Sequence, residues 1–317
     1  MSAEIELSVV VPCFEEAGHL PNTLDTIRGE VAAAASSFEV LVVDDGSQDE
    51  TWDAVVAAAD KDGPGVVRGL RLSRRFGKEL ALCAGLERAR GRAVVVMDGD
   101  LQHPPSLIPE MVRAWREEGF DVVEAVKEGE ATHVRLRARL FYAVLNRLSG
   151  IRLARATDFK LLDRKVIEAW TTMRERHVFF RGMSAWLGFR RKELPFQVAE
   201  RAGGSTSWST RELLRLAFDG LTSFSTLPLH LITTMGLVFM GFALILGANA
   251  LIQKFTGVAL TGFTTVIVLQ LMIGSMLMVG LGILGQYVSK IYDEVKGRPR
   301  YVVMDEAGDE RPGTDGA

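Results

Sequence analysis

Five short apolar runs punctuate the first 130 positions: IELSVVVP (5–12), FEVLVVD (38–44), VVRGLRL (66–72), RAVVVMD (92–98) and FDVVEAV (120–126). Each has the length and continuity of a strand buried on both faces. Between them, 18–34, 50–61, 77–90 and 104–118 place apolar residues at helical spacing. Strand and helix in alternation predict an α/β fold, a mostly parallel sheet flanked by helices. In such sheets ligands bind at the carboxyl ends of the strands. Asp49 or Ser47 is suited to cap the helix after the second run, and Pro104-Pro105 to open the helix after the fourth.

The pattern changes towards the C-terminus. Gly220–Gln253 contains no Asp, Glu, Lys or Arg, and neither does Phe255–Ser289. Each stretch supplies the ~20 apolar residues that cross a hydrocarbon core, and 231–252 and 264–288 are the predicted spans. Two buried helices of a soluble core are the rival reading. Gly274, Gly280, Gly282 and Gly285 would let the two helices approach closely, which also permits homo-oligomers. Arg211 and Arg215 precede the pair, and Lys290, Lys296, Arg298 and Arg300 follow it. The positive-inside bias then predicts cytoplasmic flanks and an outer loop. The tail MDEAGDERPGTDGA is predicted to be disordered.

Charge refines this picture. The net charge is −3, yet residues 1–130 hold 13 Lys+Arg against 25 Asp+Glu, and residues 131–215 hold 18 against 7. An acidic front face repels phosphate backbones, so nucleic acid is excluded as a partner. A basic segment ahead of the apolar spans suits an anionic membrane surface. Within it, 133–148 and 209–224 read as amphipathic helices lying in the interface or packing on the sheet. Mean hydropathy is +0.14, high for a soluble enzyme. Cys13 and Cys83 sit in apolar surroundings and read as reduced, buried thiols. The acidic start MSAEIELSVVVP predicts no signal peptide.

Three motifs fall at predicted strand ends: VPCFEE, VDDGSQDET and MDGDLQHPP. Side chains two apart on an extended segment share a side, so Asp98 and Asp100 would project together, with the amide oxygen of Gln102 following. Two carboxylates and an amide oxygen suit Mg²⁺ or Mn²⁺, with further positions left to water or phosphate. The competing reading of Asp-Gly-Asp is a capped turn. His103 reads as a supporting residue in preference to a ligand. Asp44 and Asp45 offer acceptors for a ribose or a base N–H, although a helix-capping turn would use the same segment. Pro12 and Phe14 offer a wall for a flat base, and Glu16 an acceptor. No GxGxxG and no GxxxxGK[ST] follows any strand, so dinucleotide and P-loop readings lack support.

Taken in order, VVVPCFEE, VVDDGSQDET, FGKELALCAGLERARG, VVVMDGDLQHPPSLIPEMV, DFKLLDRKVIEAW, FFRGMSAWLGF and LTSFSTLPL resemble family 2 glycosyltransferases of the polyprenyl-phosphate type. That family includes dolichol-phosphate mannosyltransferases and bactoprenol-phosphate glucosyltransferases. The resemblance implies a GT-A fold, a nucleotide-sugar donor, a divalent cation (Mg²⁺ or Mn²⁺) and a polyprenyl-phosphate acceptor. It implies that Pro12, Phe14, Glu16, Val43 and Asp45 line the nucleoside pocket. It sets Asp98 and Gly99 against ribose and diphosphate, puts Asp100 and Gln102 on the metal beside Asp98, brings Asp158 near sugar and acceptor, and has Arg201 reach the phosphates. Lys127, Arg135 and Arg137 become candidates for the acceptor phosphate. The chain then divides into a cytoplasmic catalytic domain (1–200), a juxtamembrane segment (201–228), two membrane helices (229–290) and a tail (291–317), the whole sitting in the inner membrane.

The chain also departs from the family pattern. Phe14-Glu15 stands for Tyr-Asn, Arg75 for Asn, Lys160 for Arg, and Ser207 for the usual Lys. These changes keep a second reading open, a catalytically weakened member acting as membrane partner or scaffold. A processive polysaccharide synthase is disfavoured by the short chain, the two spans and the absence of QxxRW. In the transferase reading, the anionic lipid phosphate needs little deprotonation, so Asp158 would orient the acceptor or stabilise positive charge on the sugar carbon. The alternative for Asp158 is a salt bridge to Lys160 or Arg164. UDP-linked donors are favoured over GDP-mannose, and inversion at the anomeric carbon is implied by the resemblance.

Overall fold

The computed structural model describes residues 5–127, 156–173, 180, 186–196, 227–256 and 262–308. Apolar runs become strands β1 (Leu7–Cys13), β2 (Phe38–Asp44), β3 (Val66–Leu72), β4 (Ala93–Val96) and β5 (Val122–Lys127). The amphipathic stretches become helices α1 (Leu20–Ala34), α2 (Thr51–Ala59), α3 (Lys78–Arg88) and α4 (Ile108–Arg116), the last preceded by a 3₁₀ turn at Pro105–Leu107. Three further strands complete one sheet: β6 (Ala156–Asp163), β7 (Arg191–Phe196) and β8 (Val303–Ala307); α5 (Arg164–Thr172) follows β6.

The sheet order is β7-β5-β6-β4-β1-β2-β3-β8. β4, β1, β2 and β3 pair in parallel, and β6 and β8 run against their neighbours. The chain steps outward from β1 to β2 and β3, then returns to the other side of β1 with β4. That reversal opens a crevice between the loops leaving β1 and β4, the place where open α/β sheets hold ligands.

Both sheet faces are covered, which is why the central strands are continuous apolar runs. Val9, Val11, Val40, Val42, Phe159 and Leu161 enter one core with α1 and α4. On the opposite face Gly85 lets α3 settle onto β1 and β2. A Cβ there would come within 2.3 Å of Val10 and 3.1 Å of Val43. Cys13 and Cys83 are free and buried, and burial raises both thiols, Cys83 to about 12.

Two long helices follow, α6 (Leu227–Phe255) and α7 (Phe263–Val295). Both are long and apolar enough to cross a membrane. Leu237, Phe242, Leu244, Met278 and Val288 are exposed on them, the opposite of a soluble core helix. Of the four glycines expected to bring the helices together, Gly280 faces α6, where a Cβ would lie 3.4 Å from Ile232; a Cβ on Gly274, Gly282 or Gly285 would meet open space. The amphipathic stretches 133–148 and 209–224 lie outside the described residues.

The predicted disordered tail is corrected in part. The chain forms two units, and residues 298–308 belong to the first, with the sheet. There Val303–Ala307 adds to β3 as an edge strand. Arg300 reaches Glu87 at 2.9 Å, Arg88 reaches Glu306 at 2.6 Å, and Tyr301 donates its hydroxyl to Glu87. A polar, acidic segment pairs here because its backbone satisfies the open edge of β3, a gain that side-chain hydropathy does not register.

Candidate functional site

The loop leaving β1 is stapled to the loop leaving β2. The backbone N–H groups of Glu15, Glu16 and Ala17 donate to Ser47 Oγ (2.9 Å), Thr51 Oγ1 (2.9 Å) and Asp49 Oδ2 (3.4 Å). Asp49 Oδ1 also accepts from the Thr51 N–H, and the Ser47 hydroxyl donates to Asp44. DDGSQDET therefore shapes the crevice wall and starts α2 at once. Asp45, expected at the nucleoside, also holds the chain beside it. Its two oxygens accept from Phe76 N (2.7 Å) and Gly77 N (2.8 Å), fixing the loop before α3. Burial raises its carboxyl and these two bonds oppose the shift.

Asp98-Gly99-Asp100 is not the extended segment the sequence predicts. β4 ends at Val96, and a turn begins at Gly99-Asp100 directly after Asp98. Asp100 Oδ1 accepts from Gln102 N at 3.0 Å, and Leu101 adopts φ +54°. An aspartate bonding two residues on, next to a left-handed residue, reverses the chain sooner than alternation allows. Glu16 packs over this turn: a Cβ on Gly99 would sit 2.5 Å from its Oε2. That oxygen is buried with no hydrogen-bond partner among the described residues. Burial, then the charges of Asp100 and Asp98, raise the Glu16 carboxyl to about 7.

Asp158 arrives from an unpredicted strand. β6 pairs antiparallel with β4, Val96 opposite Lys160. Carrying that register two places onward sets Asp158 across from Asp98. Lys78, first residue of α3, closes the gap: its Nζ lies 2.6 Å from Asp98 Oδ1 and 2.7 Å from Asp158 Oδ2. Burial opposes the charge on Lys78, yet the two carboxylates raise its ammonium above the usual lysine range. His103 supports Asp98 from below. Its Nδ1 accepts from Asp98 N at 3.5 Å, and its ring stacks on Phe159 with centroids 5.3 Å apart. Burial lowers its affinity for a proton.

The salt bridges weighed for Asp158 resolve otherwise. Lys160 is fully buried, 2.7 Å from Glu124, and Arg164 donates to the carbonyls of Ala89 and Gly91. Lys160 in place of arginine is thus an interior pair with Glu124, which Arg191 also meets at 2.5 Å. Phe14 and Arg75, two of the departures, touch: the guanidinium lies 4.1 Å from the ring centroid. Pro12 is buried opposite Val43 in the ladder. Val43 is buried and packs towards Gly85. Lys127 ends β5 opposite Phe196. Arg135, Arg137, Arg201 and Ser207 lie outside the described residues.

The fold thus brings Glu16, Asp98, Gly99, Asp100, Gln102 and Asp158 to one crevice, while Asp45 anchors the loop before α3 and Phe14 packs against Arg75. Sequence reasoning missed Lys78, although a signal was present. A cation in the first helical turn opposes the positive end of the helix dipole, so a compensating partner is expected. The donor set fits a divalent cation. It holds hard oxygens, an unpartnered buried carboxylate oxygen in Glu16, and a glycine where any side chain would fill the space. Among the described residues no three His, Cys, Asp or Glu side chains converge as a ready-made cage. A cation here would complete its shell with substrate oxygens and water, as Mg²⁺ does.

Comparison with known proteins bears on this crevice. Residues 8–170 match the model of glycosyl transferase family 2. The prophage bactoprenol glucosyl transferase homolog of Escherichia coli (strain K12) is 36% identical over 304 residues, covering 94% of this chain and 98% of that protein. An uncharacterized glycosyltransferase of Synechocystis sp. is 36% identical over 306 residues, 95% of each chain. The solved mannosyltransferase PcManGT of Pyrobaculum calidifontis, in complex with GDP-Man and Mn²⁺, aligns with 88% of each chain at 18% identity and a TM-score of 0.45.

Proposed function

The chain belongs to glycosyl transferase family 2 and is a glycosyltransferase, and from that premise we propose that it moves a sugar from a nucleotide-sugar, UDP-linked in preference to GDP-linked, onto a polyprenyl phosphate, inverting the anomeric carbon. The donor lies across the loop Asp98–Gln102. When bound, Mg²⁺ or Mn²⁺ neutralises charge on the departing diphosphate. Asp100, Asp98 and Gln102 are the residues that would hold it. Gly99 admits the diphosphate against the backbone, and Phe14 borders the base. A lipid-phosphate oxygen forms the new bond to the anomeric carbon as the bond to the diphosphate breaks. The acceptor is anionic at neutral pH, so Asp158 has no strong base work to do; it orients the acceptor or offsets the positive charge developing on the sugar carbon.

The relative named for bactoprenol supports the lipid acceptor, as do two helices able to span a membrane. In this reading α6 and α7 anchor the protein in the inner membrane with the catalytic unit in the cytoplasm. Arg135, Arg137, Lys127 and Arg201 are candidates to meet the lipid or donor phosphates. The observation that carries the proposal is the crevice where Glu16, Asp98, Asp100 and Asp158 converge from three strands around Lys78.

The test incubates membranes containing the full-length protein with polyprenyl phosphate and radiolabelled UDP- and GDP-sugars. Labelled lipid should form with at least one donor, and Asp100→Ala should lower it by about 10²–10³-fold. No labelled lipid from any donor, or an undiminished Asp100→Ala rate, overturns the proposal. A long polymer as product would restore the synthase reading.

A further inference from the structure

One cation serves two carboxylates that the fold brings from different strands. Lys78 Nζ is at hydrogen-bond distance from both Asp98 Oδ1 and Asp158 Oδ2. The two acids belong to different halves of the reaction proposed above, Asp98 to the donor's diphosphate side and Asp158 to the sugar. A divalent cation taking Asp98 Oδ1 meets an ammonium already on that oxygen, and like charges in one small site repel. One of the two must leave. Lys78 can do so without moving the backbone, because its ammonium rides on a flexible four-carbon stem and already holds a second partner.

We propose that Lys78 is an exchangeable counter-cation: it holds Asp98 and Asp158 together until a divalent cation claims Asp98, and then stays with Asp158 and positions that carboxylate beside the sugar. This rests on the donor-and-cation reading of the crevice. It gives Lys78 two effects of opposite sign. The residue competes with metal binding and assists the chemistry that follows. Asp158 acquires a role in metal affinity although it is not a ligand, since it draws the ammonium off Asp98.

The test titrates full-length, detergent-solubilised protein with Mn²⁺ and reads free Mn²⁺ by electron paramagnetic resonance. Lys78→Gln should bind Mn²⁺ about tenfold more tightly than wild type, within the usual range of coupling between sites. Lys78→Arg should stay near wild type. Asp158→Asn should bind more weakly, because Lys78 then has Asp98 alone. In the Lys78→Gln background the same Asp158→Asn change should have no effect, which separates exchange from a general loss of negative charge. In the transfer assay Lys78→Gln should lower kcat while donor KM stays level or falls.

Absent Mn²⁺ binding by wild type, unchanged or weaker binding by folded Lys78→Gln, or additive behaviour in the double variant would each overturn the inference. If Lys78→Gln does not fold, Asp158→Asn decides alone, with unchanged Mn²⁺ affinity counting against it. Should the Mn²⁺ pattern hold while wild type transfers no sugar to polyprenyl phosphate, the acceptor reading fails and the exchange stands.

Discussion

At the scale of single residues, the crevice concentrates features that a stable fold would otherwise avoid. Among the described residues Glu15 and Leu101 are the non-glycine residues with positive φ, +55° and +54°, and they lie in the two loops that form its walls. Each such residue costs roughly 1–2 kcal/mol, and asparagine, the family's choice at position 15, bears the conformation better. Glu16 carries a second cost. Its carboxyl is raised from the ordinary 4.5 to about 7. A raised acid contributes stability that is complete below about 4.5 and is lost as pH climbs through about 7. Glu16→Gln removes that loss. The thermal midpoint of the variant minus that of wild type should therefore grow more positive between pH 5 and pH 7.5. A difference that stays flat, or falls, would show that Glu16 is not held buried beside Asp100 and Asp98 in solution. Two of the departures from the family pattern, Phe14 and Arg75, meet in this chain: the guanidinium stacks over the ring, a cation–π contact.

At the scale of elements, two antiparallel strands carry what the parallel core cannot. β6 delivers Asp158 because its direction brings its amino end to the edge where β1, β2 and β4 have their carboxyl ends. A parallel strand in that slot would put the same residue at the far edge. β8 closes the other side of the sheet against β3. Its ion pairs are partly exposed and add little individually, so its main contribution is the backbone ladder and the cover it gives an open edge. Ending the chain after Pro299 should lower the stability of the catalytic unit by about 1–3 kcal/mol. The fall would be read as a lower unfolding midpoint in detergent together with a greater tendency to aggregate. An unchanged midpoint would mean that β8 merely rests on the sheet.

For the whole molecule, the proposed transfer needs a nucleotide-sugar and a lipid at one crevice, and the chain supplies a polar-surfaced sheet unit and two apolar helices. Both ends of that helical pair connect to the sheet unit, through the segment after β7 and through Lys296–Val302 before β8. By the positive-inside bias the basic flanks predict that these ends face the cytoplasm. Cysteine accessibility checks this cleanly, because Cys13 and Cys83 are buried and should stay silent. In intact cells a membrane-impermeant maleimide should label Thr256→Cys, in the turn after α6, and should spare Lys296→Cys until the membrane is opened. The reverse pattern would invert the orientation and separate the crevice from cytoplasmic nucleotide-sugars.

The one-dimensional pattern was enough to determine the α/β alternation, the five leading strands, the two apolar spans and the acidic strand ends. Each of these follows from local hydropathy and from the residue types that terminate a strand. Tertiary structure alone decided the rest. The partners of Asp45 and Asp158, the interior placement of Lys160 and the turn at Gly99-Asp100 depend on register and on which neighbour satisfies a buried polar group. β8 lay beyond reach for a related reason: an edge strand is selected by the unpaired backbone beside it, whereas its own side chains read as a solvated tail. Lys78 combines both lessons, a visible anomaly at a helix start whose explanation required two strands 60 residues apart in sequence to lie side by side.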